Sequence, residues 1–119
     1  MAKKFGRATI RVNGTTLDTE KGSTLDPGGT KREPRPGSNT TSGFTEELVP
    51  AKIEATILFG EGDSLTDLNA LINATVLFET DTGQTYIVRD AYCAEPVTLT
   101  EGEGKAKLVL MGSAAEEMR

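Results

Sequence analysis

Alternation of apolar and polar residues marks several short stretches of this chain. Ala8, Ile10 and Val12 alternate with Thr9 and Arg11, and Ile53, Ala55, Ile57 and Phe59 alternate with Glu54, Thr56 and Leu58. A period of two sends one set to a buried face and the other outward, the signature of a half-buried strand. Asn13-Gly14 separates the first run from the extended stretch Thr15 to Asp18. Asn-Gly between extended segments is the strongest short hairpin signal. Thr75 to Glu79 and Thr85 to Arg89 are rich in Thr, Val, Ile, Phe and Tyr, which suit strands. Asp81-Thr82-Gly83 between them supplies turn residues. Val97 to Thr100 and Lys105 to Met111 flank Glu101-Gly102-Glu103-Gly104, a further hairpin.

One stretch carries a helical spacing instead. Leu65, Leu68, Leu71 and Ile72 fall on one face of a short helix expected over residues 63–72, with Asn73 as its terminator. Ser64 is placed to accept from an early helical N–H, and Asp67 adds negative charge at the positive helix end. The pattern predicts an all-β fold, a β-sandwich or barrel of about seven strands with one short flanking helix.

The segment from Gly22 to Gly43 follows neither period. It holds Pro27, Pro34 and Pro36 together with Lys31, Arg32 and Arg35. Some twenty residues without periodicity inside a compact domain read as a long inter-strand loop, either a floppy surface loop or a functional one.

Order and spacing then suggest a family. Lys31-Arg32-Glu33, Gly43-Phe44-Thr45-Glu46, Leu68-Asn69-Ala70-Leu71, Ala74-Thr75-Val76, Gly83-Gln84-Thr85-Tyr86 and Arg89-Asp90-Ala91 follow one another along the chain. Together they resemble the tail tube protein family of Mu-like phages, over about Ala8 to Glu117. The resemblance implies a β-sandwich that assembles into hexameric rings, stacked into a hollow tube for DNA ejection. It further implies a contractile sheath outside, a tape-measure protein inside, a baseplate hub at one end and a tail terminator at the other. The protein is then expected in the virion tail tube, and in the host bacterial cytoplasm during assembly. Tube proteins of phage-derived bacteriocins or secretion-type machines fit the same pattern, and a non-polymerising β-sandwich binding module is a further alternative.

Composition agrees with a single domain over residues 1–119. Apolar residues make up 36% of 119 and Trp is absent, a modest core that gains from burial in an oligomer. Met1-Ala2-Lys3-Lys4 leads into no apolar run, and no segment reads as a membrane anchor. Ala2 to Arg7 and Ser113 to Arg119 are polar and read as termini that stay loose until a neighbour ties them down.

The chain contains no His and one Cys, so His-based acid–base pairs, Ser-His-Asp triads and the usual zinc sites are excluded. Cys93 reads as a small core residue. Asp81-Thr82-Gly83 matches the short aspartic-protease signature, but that chemistry needs two carboxylates, and polar Glu79 and Thr80 precede it. Gly102-Glu103-Gly104-Lys105 lacks the upstream Gly of a phosphate loop, since position 99 is Leu. No enzyme activity and no cofactor are expected. An acidic chain with few aromatics is also a poor nucleic-acid binder.

Net charge is −5, unevenly distributed. Residues 1–43 carry eight Lys/Arg against four Asp/Glu, and residues 44–104 carry two against twelve. This is either an ordinary solvated surface or a subunit with a basic and an acidic side, able to attract copies head to tail. On the tube reading, Lys31, Arg32, Glu33 and Arg35 are candidates for ring-to-ring contacts. A lumen that lets DNA slide must not hold phosphates, so Glu46, Glu54 and Thr56 are candidate lumen residues. Facing outer solvent is the alternative for Glu46 and Glu54.

Overall fold

The computed structural model describes residues 3–39, 41–61 and 63–118. The strands are β1 (Ala8–Val12), β2 (Thr15–Leu17), β3 (Thr24–Asp26), β4 (Gly29–Pro36), β5 (Thr41–Val49), β6 (Ala51–Leu58), β7 (Ala74–Thr80), β8 (Thr85–Cys93), β9 (Thr98–Thr100), β10 (Lys105–Gly112) and β11 (Glu116–Met118). A single helix among the described residues, α1 (Leu65–Asn69), lies between β6 and β7.

Most strands join one folded sheet in the order β2-β1-β7-β8-β10-β6-β3, with β11 on β8 and β9 on β10. All of its pairings are antiparallel. Strand β8 belongs to both halves. Its first part pairs with β7, and Tyr92 and Cys93 pair with Met111 and Leu110 of β10. Between them the register with β7 shifts, and Asp90 sits at φ 53. A bulge of this kind bends a strand and raises its twist, which carries β8 from one layer to the other.

The core fills the space between the layers. Ile10, Val12, Val76, Phe78 and Val88 come from one layer, and Ile53, Ala55, Ile57, Leu108 and Leu110 from the other, all buried. Burying each aliphatic side chain contributes roughly 1.5–3 kcal/mol. The alternation read in β6 holds: Ala51, Ile53, Ala55 and Ile57 are buried while Lys52, Glu54 and Thr56 are half-exposed. Asn13 and Gly14 form the two-residue turn of the β1–β2 hairpin, with φ 50 and 86, the mirror-image turn that matches strand twist. Thr80 and Thr85 flank the Asp81-Thr82-Gly83 turn, and Glu101 to Gly104 turn β9 into β10.

Three features differ from the sequence-based expectation. The helix, Leu65–Asn69, has five residues, half of the expected 63–72. Ser64 caps it, with Oγ accepting from the Asp67 N–H at 3.3 Å, but it closes at Ala70. Leu65, Leu68 and Leu71 pack on the core, whereas Ile72 is 70% exposed, because the chain must turn at Asn73 (φ 50) to enter β7. The strand count exceeds seven by β3, β4, β5 and β11. Finally, Gly22 to Gly43 is not a structureless loop: β3, β4 and the start of β5 occupy it. Strands β4 and β5 are solvated on both faces, so they show no apolar period and are defined by cross-strand pairing alone.

Candidate assembly surfaces

Strands β4 and β5 form a separate two-stranded arm that pairs with no body strand among the described residues. The register runs from Gly29 opposite Val49 through Arg32 opposite Glu46 to Pro34 opposite Phe44, with an irregularity before Pro36. Nine residues of β5 correspond to about 27 Å of strand. The molecule measures 63 × 40 × 26 Å overall. A lone two-stranded ribbon is marginal in water, so this arm calls for a surface to lie on.

The arm has two unlike faces. Cross-strand partners share a side, so Arg32, Pro34, Phe44, Glu46 and Leu48 lie on one face. There Leu48 is 86% and Phe44 59% exposed. Arg32 reaches Glu46 at 3.3 Å and stands 5.6 Å from the Phe44 ring centroid. The other face carries Lys31, Glu33 and Glu47. Glu33 is shared by Lys31 at 3.7 Å and Arg35 at 3.2 Å, and Glu47 stands opposite Lys31 on the same face, so the charges here balance. The four residues expected in ring contacts are thus together on the arm, with Arg32 facing opposite Lys31 and Glu33.

Strands β3 and β4 on one side, and β5 and β6 on the other, make one long ribbon kinked at Pro27–Gly28 and at Pro50. The arm therefore leaves the body at the Ala51–Gly112 end of the β6–β10 pair. The β9–β10 turn lies at the opposite, Leu58–Lys105 end. Around that far end Leu58 and Leu99 are 42% and 43% exposed. Among the described residues, Glu101 and Glu103 have no cation within ion-pair distance.

The candidate lumen residues separate. Glu54 and Thr56 lie on the outward face of β6, while Glu46 sits on the arm, paired with Arg32. Glu54 is 3.1 Å from Lys52, and Lys107 stands opposite Thr56 on the same face. Lys105 pairs with Glu20 at 3.1 Å. This face carries both signs rather than a run of acid.

The described parts of both termini are held by the chain itself. Strand β11 pairs with β8, and Ala115 N–H donates to Pro27 C=O at 2.8 Å. The Phe5 ring meets Phe78 edge-on at 6.2 Å. Gly6 N–H donates to Asp81 Oδ1 at 3.2 Å, and Lys3 lies 3.8 Å from Asp81 Oδ2. The Gly6 amide foremost holds the Asp81 carboxyl below the usual aspartate range; burial opposes it, and the Arg7 amide and the Lys3 charge add to the lowering. Asp81 is therefore a latch for the N-terminal segment. The latch was missed because nothing near Asp81 in sequence indicates its partners.

The model of the family described as phage tail tube protein matches residues 1–117. The chain belongs to the phage tail tube protein family. Its relatives include the Mu-like prophage FluMu tail tube protein of Haemophilus influenzae, 40% identical over 91% of each chain. The tail tube protein of Escherichia phage Mu is 34% identical over 98% of this chain and 96% of its own. The fold of this tail tube chain is also found in a chain of the anti-feeding prophage cap structure. There the TM-score is 0.72 at 10% identity, covering 99% of this chain and 94% of that one. A chain of the PVC sheath–tube complex in its extended state matches at TM-score 0.68 and 11% identity, over 94% and 88%. Its role is structural, as a subunit of a tail tube.

Proposed function

We propose that this tail tube subunit polymerises into six-membered rings, which stack into the inner tube of a contractile tail and conduct DNA at ejection. The observation that carries this is the free arm. It displays Phe44 and Leu48 to solvent and pairs with no strand of the body among the described residues. Ring closure uses the free edges at β2, β3 and β9, which are three residues long and unpaired on one side. Stacking uses the arm, with Lys31, Arg32, Glu33 and Arg35 at the contact between rings. Ordering an exposed ribbon on a neighbour is offset by the apolar area and ion pairs it buries there.

The outward face of β6 lines the channel, with Glu54 and Thr56 toward DNA. Glu54 neutralises Lys52 and keeps the wall from presenting a row of bare cations to phosphate. Glu46 acts with the arm through Arg32. The sheath outside, tape-measure protein within, and baseplate hub and terminator at the ends complete the set of partners. Subunits are made in the host bacterial cytoplasm and end in the virion tail, and the chain performs no catalysis.

A tube of a phage-derived bacteriocin or secretion-type injection machine is the second reading, supported by the fold shared with the cap and sheath–tube chains. Negative-stain electron microscopy of purified protein over a concentration series tests polymerisation. Rings, or hollow tubes of uniform width, are expected to appear as concentration rises. Small particles alone at every concentration, even with preformed tail tips added as initiators, would overturn it.

A further inference from the structure

The layer β2-β1-β7-β8 has β2 at one edge and the first part of β8 at the other. Strand β10 meets β8 only at Tyr92 and Cys93, so it leaves Thr85, Tyr86 and Ile87 uncovered on the side away from β7. The C-terminal strand covers them instead, with Met118, Glu117 and Glu116 of β11 opposite Thr85, Tyr86 and Ile87. The covered edge differs from the open ones. Strands β2, β3 and β9 are three residues long, a length that blunts pairing with another chain. Thr85-Tyr86-Ile87-Val88 is an uncharged run of strong strand formers without Pro, at the start of a nine-residue strand. An edge of this kind recruits a strand from another chain unless it is covered.

The cover is weakly seated. All three residues of β11 are exposed. The Arg89–Glu116 ion pair beside it, at 3.4 Å, is exposed on both partners and adds little. Its firm point is at the start, where Ala115 packs partly on the core and its N–H donates to Pro27 C=O. On the other side of β8, strand β7 contributes Val76 and Phe78, both buried. A segment that buries so little opens far more often than a core strand.

We propose that β11 is an autoinhibitory cap: seated, it withholds the β8 edge, and unseated, it lets that edge take up a strand of a second copy. The pairing directions fit this occupant. Strand β2 is antiparallel to β1, β1 to β7, and β7 to β8, so β2 runs antiparallel to β8. A second copy set beside β8 in the same orientation therefore continues the layer with its own β2, by main-chain pairing. The contact is heterologous, as ring closure requires. The inference rests on the tube reading above and adds a gated edge to it.

A lock on the cap tests it. Facing residues of an antiparallel pair have Cα atoms about 4.5–5.5 Å apart, within reach of a disulfide. Thr85→Cys with Met118→Cys in a Cys93→Ala background should therefore tie β11 to β8 when oxidised. Polymerisation followed by light scattering and electron microscopy should be slower by about tenfold or more in the oxidised chain than in the same chain reduced. A chain ending at Ala115 should form tubes at a lower concentration than the full chain, and a circular dichroism melt establishes that it folds. Equal rates for oxidised and reduced chains overturn the cap and leave the tube reading intact. Amorphous aggregate from the shortened chain in place of tubes also overturns it. Absence of tubes from the full, unaltered chain would instead overturn both.

A second readout needs no variant. In the free subunit, the amides that join β11 to β8 should exchange with solvent faster by about tenfold or more than those that join β7 to β8, as followed by NMR. Equal protection of the two ladders means that β11 opens only when the layer unfolds, and overturns the cap.

Discussion

Gly28 lies directly against Pro50. A Cβ built on Gly28 would stand 2.6 Å from the Pro50 carbonyl carbon and 2.6 Å from the Val49 oxygen, and its φ is +69°. The Asp26 carboxylate holds the turn by accepting from the Gly28 N–H at 3.0 Å. Here the β3–β6 pair of the body becomes the β4–β5 arm, so the direction of the arm is set by two backbones passing too closely for any side chain.

Gly28→Ala should therefore act on the arm first. Positive φ and the clash together are expected to cost about 1–3 kcal/mol. Urea denaturation should show this loss, and tube yield should fall further than the stability change alone explains. Pro50→Gly, which frees the opposite strand, should reduce tube yield with a smaller change in stability.

The Asp81 latch predicts a pH dependence at the N-terminal segment. The folded pKa of Asp81 is lowered, mainly by the Gly6 amide. The sign follows: its stabilising effect is complete above the ordinary aspartate pKa and is lost as pH falls through the lower folded value. Amide exchange at Gly6, followed by NMR, should be slow near neutral pH and accelerate in acid. In Asp81→Asn the exchange should be faster near neutrality and lose most of this pH response.

Glu54→Lys removes the partner of Lys52 on a face that already holds Lys105 and Lys107. Glu54 is 42% exposed at its side chain, so folding stability should change by less than about 0.5 kcal/mol. Assembled tubes of the variant should retain short DNA fragments in low salt and release them as salt rises. Filter retention across a salt series measures this. Equal retention by variant and reference tubes would remove Glu54 from the lumen.

Leu108→Ala tests the body independently of assembly. Leu108 is 1% exposed between the two layers, and truncation should cost about 2–5 kcal/mol. Urea unfolding should register the loss with little change in slope.

Much of the fold was legible in local chemistry, and the limits are physical. Asn13-Gly14, the Asp81-Thr82-Gly83 turn and the alternation of β6 were readable because each is decided by neighbours in sequence. The Ser64 cap was readable for the same reason, while the helix end was not, because Asn73 turns to meet β7. Lys31, Arg32, Glu33 and Arg35 were singled out together, but their division between two faces depends on strand pairing. Cys93 was expected in the core and is only partly buried against it, with its thiol donating to Glu95 C=O at 3.0 Å.

The sequence by itself determined the strands with an apolar period, three of the hairpin turns, the core-facing residues of β1 and β6, and which family the chain resembles. These follow from side-chain period and turn chemistry, which act over a few residues. Tertiary structure decided that residues 22–43 enter strands, that Glu46 leaves the company of Glu54 and Thr56, and that Asp81 holds the N-terminal segment. Each of these depends on partners brought together by folding, from Lys31 against Glu47 to Gly6 against Asp81. A ribbon solvated on both faces leaves no hydrophobic trace in its sequence, so only its pairing could reveal it.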